Sequence, residues 1–103
     1  MANPMKIRAR FDAGVVEVKA LMSHHMETGR RKNAAGELIP AHFIQKVSAI
    51  CREREVLSAQ WGPAVSANPF LVFKFAGAVK GDRVKLTWTD NTGETRSDES
   101  TIV

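Results

Sequence analysis

Hydrophobic and polar positions alternate with a period of two in short runs along this chain, and turn-forming residues separate the runs. That is the signature of strands rather than helices. Residues 6–11 alternate and then meet Asp12-Ala13-Gly14, a hairpin-type turn with a glycine available for positive φ. Residues 15–22 place Val16, Val18, Ala20 and Met22 on one face and Glu17 and Lys19 on the other. Residues 41–50 are rich in β-branched and aromatic side chains, with Phe43, Val47 and Ala49 on one side and Ile44 and Ile50 on the other. A short polar turn, Cys51-Arg52-Glu53, leads to residues 54–61, where Leu57, Ala59 and Trp61 share a face. Gly62-Pro63 and Asn68-Pro69 mark an irregular connection. Residues 70–75 bring Leu71, Phe73 and Phe75 together, and residues 83–89 set Val84, Leu86 and Trp88 inward. Asp90-Asn91-Thr92-Gly93 supplies turn chemistry, and residues 94–103 form a polar edge strand.

The pattern predicts about seven short strands and no helix, hence an antiparallel β-sandwich with an immunoglobulin-like arrangement as its leading form. A small closed barrel of the OB type is the alternative. Strands with apolar residues on both faces imply a second buried surface, which a stable partner would cover.

One connection is far longer than a hairpin turn. Residues 23–40, SHHMETGRRKNAAGELIP, carry two of the three histidines and the Arg30-Arg31-Lys32 cluster. A connection of that length inside a compact domain usually has a function or is disordered, and this one is not of low complexity.

Composition narrows the classes. The 103 residues suffice for one domain, 1–103, with a modest core. A mean hydropathy of -0.21 suits a globular protein, and no apolar run is long enough to cross a bilayer. The N-terminus is basic but lacks the apolar stretch of a secretory signal, which by itself points to the cytoplasm. A single cysteine, Cys51, excludes an intramolecular disulfide framework and a cysteine-cluster zinc site. The formal charge is +4 and the pI about 9.6, with nine Lys+Arg against four Asp+Glu in residues 1–52 and six against seven thereafter. Such asymmetry suggests a polar partner surface or an anionic ligand.

Candidate chemistry is sparse. His24, His25 and Met26 offer nitrogen and sulfur donors, but neighbours on an extended backbone face opposite ways, and His42 is the only further histidine. Cys51 beside Arg52 and Arg54 could carry a stabilised thiolate, or be a small buried hydrophobe. Arg30, Arg31 and Lys32 could hold an anion or a partner's carboxylates, or be a solvated loop tip. Phe73-Lys74-Phe75 is the nearest approach to an aromatic-basic nucleic-acid surface, but its phenylalanines share the apolar face with Leu71. No G-x-S-x-G elbow, P-loop or G-x-G-x-x-G is present. The residues alone leave open a scaffold protein, a basic nucleic-acid-binding β-barrel, and a thiol- or metal-dependent redox protein.

The run HHMETGRRKNAAGELIPAHFI, with WGPAVSANPF and GDRVKLTWTDNTG further on, resembles the SoxZ family of the thiosulfate-oxidising Sox system, and the similarity extends over nearly the whole chain. His25 stands where that family carries a proline. The resemblance implies an all-β, immunoglobulin-like sandwich of the E-set type that is not an enzyme and needs no cofactor or metal. It implies a heterodimer with a SoxY-like subunit, which bears the sulfur intermediate on a cysteine of its own C-terminal arm, and transient contact with other Sox enzymes. It implies neither nucleic-acid nor membrane binding, and residence in the periplasm after export with a Tat-targeted partner. The tail SDESTIV has neither cysteine nor a glycine run, so Cys51 does not match the carrier cysteine. Partner contacts are expected at His24, His25, Met26, Arg30, Arg31, Lys32, His42 and Ile44, and the isolated chain is expected to be able to pair with itself.

Overall fold

Every alternating run becomes a strand in the computed structural model, which describes residues 3–103. In order these are β1 (Lys6–Asp12), β2 (Val15–Leu21), β3 (Ile44–Cys51), β4 (Arg54–Gln60), β5 (Phe70–Ala76), β6 (Arg83–Asp90) and β7 (Thr95–Thr101). They form two antiparallel sheets, β1-β2-β5 and β4-β3-β6-β7, with no helix among the described residues. The result is an immunoglobulin-like β-sandwich. The closed-barrel alternative fails because β4 and β5 end their sheets without pairing.

Alternation fixes what lies between the sheets. Val16, Val18 and Ala20 from β2 meet Val47, Ala49 and Cys51 from β3 and Val84, Leu86 and Trp88 from β6, all almost fully buried. A buried valine, leucine or isoleucine contributes roughly 1.5–3 kcal/mol relative to its exposed state. One placement corrects the sequence reading: Ile44 lies inside, on the same side as Val47, not on the opposite side. A register shift between Ile44 and Lys46 against β6 inserts a residue and returns the side chain to the core.

Two hairpins turn on two residues each. Asp12 pairs with Val15, so Ala13 and Gly14 are the turn, both at positive φ (51° and 83°). Cys51 pairs with Arg54, leaving Arg52 and Glu53 at φ 53° and 61°. This backbone matches the strand twist, but it is intrinsically costly for residues bearing a Cβ.

The two lateral seams of the sandwich differ. Beside β1 the chain terminus closes the gap: Ala9 bridges Ile102, Val103 N–H donates to Ala9 O, and Phe11 N–H donates to Val103 O. Between β4 and β5, among the described residues, the crossing hydrogen bond is that of the Arg54 guanidinium, donating to Ala76 O at 2.6 Å. Along that open seam Leu57, Ala59, Leu71, Phe73 and Phe75 face inward yet stay only partly buried. This under-covered surface differs from the second face expected of β3, where Ile44 is core and Ile50 alone stays exposed.

Candidate functional site

The long connection is a folded arm. Glu27 and His42 exchange backbone hydrogen bonds, Ile39 N–H donates to Arg31 O, and Lys32 bridges Leu38, so the segment doubles back on itself. Its tip is closed by Asn33, whose Oδ1 accepts from the N–H groups of Ala35 and Glu37. Gly29, at φ 86°, lies so close to the returning limb that a Cβ there would sit 3.1 Å from that of Ala41. The molecule measures 53 × 21 × 20 Å with a radius of gyration of 15.4 Å. A compact chain of this length would have about 13 Å.

The arm is rooted on a single carboxylate. Asp90 Oδ2 accepts from His24 Nε2 at 3.1 Å and from His42 Nε2 at 2.7 Å, one histidine on each limb. Asp90 Oδ1 accepts from the N–H and hydroxyl of Thr92 and from Glu94 N–H, which ties off the β6–β7 turn. Next to it, Asn91 Oδ1 accepts from Phe43 N–H at 2.8 Å while its Nδ2 donates to Ala41 O at 2.8 Å. Burial pushes the Asp90 carboxyl up, but the hydrogen bonds from Thr92, His24, His42 and Glu94 outweigh it and hold the group far below the usual carboxylate range.

Strand parity explains how a carboxylate reaches this position. Val84, Leu86 and Trp88 point inward from β6, and Asp90 is the next residue of that parity. His24 likewise continues the inward series Val16, Val18, Ala20 and Met22. It packs edge-on against Trp88 with ring centroids 5.1 Å apart. His25 takes the outward parity and is exposed.

His24, His42 and Asp90 bring their donor atoms within 4.8 Å of one another, close enough to hold a metal ion, and in this structure they form a hydrogen-bonded network. His24 Nδ1 accepts from Met26 N–H at 3.0 Å, so the ring proton resides on Nε2 and points at Asp90. A zinc-bound histidine needs the reverse, a metal on Nε2 and a proton on Nδ1. The separations agree: donors around a tetrahedral zinc lie about 3.3 Å apart given bonds near 2.0–2.1 Å. Both histidine–aspartate contacts are shorter. The sequence reading of His24 and His42 as separate donors missed Asp90, the residue that joins them.

Of the other expected contact residues, Met26 and Ile44 are buried, and Met26 Sδ accepts from Ile44 N–H at 3.3 Å. They shape the arm from within, as His24 does. Arg30, Arg31, Lys32 and His25 are exposed, and His42 is partly so. Arg31 is engaged with Glu27 through its guanidinium, which lowers the Glu27 carboxyl, whereas Arg30 and Lys32 make no ion pair among the described residues. Cys51 lies in the core, 2% exposed, and burial raises its thiol, with Asp82 adding to the effect over the opposing Arg52 and Arg54. It is a packing residue, distant in role from any thiolate nucleophile. Phe73 and Phe75 face the sheet interior, so they offer no stacking platform for bases.

For a chain with this sandwich, basic arm and Asp90 root, comparison with protein families gives a match. The model described as "Sulphur oxidation protein SoxZ" matches residues 5–101. The chain belongs to the SoxZ family. The matched residues include all seven strands, the arm and Asp90. No curated protein sequence matches the chain to a significant degree. SoxZ membership assigns the chain a role in the Sox sulfur-oxidation system.

Proposed function

We propose that the chain is a non-catalytic subunit that binds and supports a SoxY-like sulfur-carrier partner. The observation that carries this reading is the open seam between β4 and β5. Five inward-facing apolar residues there lack the cover that the opposite seam receives from the chain terminus. Edge strands with free backbone groups and apolar flanks favour association with another β-structure. The buried, raised Cys51 thiol supports assigning the covalent sulfur chemistry to the partner. Arg30 and Lys32 on the arm are suited to the partner or to visiting Sox enzymes.

Coexpression with a SoxY-like chain is expected to yield a heterodimer that survives gel filtration at micromolar concentration. Separate elution of the two chains would defeat the reading. In the absence of the partner the same seam favours self-pairing, visible as a concentration-dependent dimer. The proposed site of action is the periplasm, reached with a partner that bears the export signal. Fractionation of cells with and without the partner tests it, and accumulation in the periplasm without any partner would count against co-export.

A further inference from the structure

The outer face of the β1-β2-β5 sheet points away from the inward residues of the seam, although its edge strand β5 borders that seam. Its charged rows adjoin an exposed apolar strip at one end. Register fixes the rows: Lys6, Leu21 and Phe70; Arg8, Lys19 and Val72; Arg10, Glu17 and Lys74; Asp12, Val15 and Ala76. The apolar strip lies at one end, with Phe70 62% and Val72 45% exposed on β5 and Leu21 40% exposed on β2, while Lys74 follows farther along β5. The β1 side is cationic. Glu17 is shared by Lys19 and Lys74 at 3.7 and 3.9 Å, while Lys6, Arg8 and Arg10 make no ion pair among the described residues. A groove beside β1 is lined by Lys80 with Arg8, Arg10 and Lys19, and also by Asp12 and Glu17, so cations outnumber carboxylates along it.

We propose that this face is a second docking surface, taken by an acidic protein that sets carboxylates against Lys6, Arg8 and Arg10 and an apolar anchor against Phe70, Val72 and Leu21. Charge complementarity selects the occupant. Cations without partners, aligned on one strand about 6.6 Å apart, match carboxylates on an extended segment. The adjoining apolar strip supplies the desolvated centre that charge alone lacks. A nucleic acid fits less well. Glu17 stands in the middle row where a phosphate track would run, and Phe70 is the single aromatic residue directed outward on this face.

The test is a titration of the isotopically labelled full chain, alone and bound to its carrier subunit, with a synthetic peptide that carries glutamate at alternate positions followed by a short run of leucines. Polyglutamate, duplex DNA and phosphatidylglycerol vesicles are run beside it. Amide shifts are expected on β1, β2 and β5, with affinity falling roughly tenfold or more between about 50 and 300 mM salt. Arg8→Glu with Arg10→Glu is expected to abolish binding while leaving the melting temperature and the carrier complex intact. Phe70→Ser is expected to weaken the peptide roughly tenfold without changing polyglutamate binding. Shifts centred elsewhere, an unaffected Phe70→Ser variant, or DNA or vesicles binding more tightly than the peptide would overturn the proposal. So would loss of the carrier complex in the arginine variant, because the face would then be part of that interface.

Discussion

His42 Nε2 lies 2.7 Å from Asp90 Oδ2, across 48 residues of sequence, and the same oxygen accepts from His24 at 3.1 Å. Asp90→Asn would turn either an amide donor toward two histidine donors or, flipped, toward Thr92 and Glu94. Leaving such buried groups unsatisfied costs about 2–4 kcal/mol. Chemical denaturation is expected to show that loss, and hydrogen exchange to show loss of protection at Glu27 and His42 while β2 and β5 stay protected. Unchanged exchange in the arm would contradict its anchoring on Asp90.

The same carboxylate sets an acid limit. Its folded pKa is depressed below the unfolded value near 3.8, so its contribution is complete above that value. The contribution is lost progressively as pH falls through the ordinary carboxylate range toward the folded value. Asp98, held low mainly by the Arg96 guanidinium, acts in the same direction. Stability is therefore expected to decline below about pH 5. The Asp90→Asn variant is expected to show a shallower decline, and equal slopes would refute the assignment.

Arg52 and Glu53 occupy a turn that prefers Asn-Gly. Replacing them by Asn and Gly relieves two left-handed residues bearing a Cβ and is expected to raise stability by about 1–2 kcal/mol. The exposed Arg52–Asp82 pair lost in the exchange is worth little. A lower denaturation midpoint would show that these side chains have a role the backbone does not reveal.

Cys51 is expected to resist an aromatic disulfide reagent in the native state and to react only on unfolding. Cys51→Ser buries a hydroxyl with no partner provided, costing about 1–3 kcal/mol, yet is expected to keep the carrier complex. Rapid native-state labelling would reopen a thiol chemistry.

On the arm, Arg30→Glu with Lys32→Glu is expected to leave stability within about 0.5 kcal/mol of the parent. Association with the carrier partner is expected to slow, and equal association rates in stopped flow would remove the arm from recognition.

The strands were legible because period-two alternation is a local property, and each boundary fell within three residues of the observed one. Ile44 was misplaced because a bulge resets parity and is set by pairing with β6, which local pattern does not contain. The arm's length and basic charge were equally plain. Its root was not, although the signal existed: parity carried past Thr89 and Met22 puts an aspartate and a histidine on the inward face. Their meeting depends on a sandwich that brings residues 24, 42 and 90 to one end, and no spacing rule conveys that.

The arm has no root of its own. Its two limbs are seated on a turn that exists only once β6 and β7 have paired, more than 60 residues downstream of His24. In folding, the seating of the arm on Asp90 therefore waits on closure of the C-terminal hairpin, even though the turn at Asn33 and the Glu27–His42 pairing are local to the arm. Were a partner to recognise the seated arm, it would thereby select chains whose C-terminal hairpin has already closed.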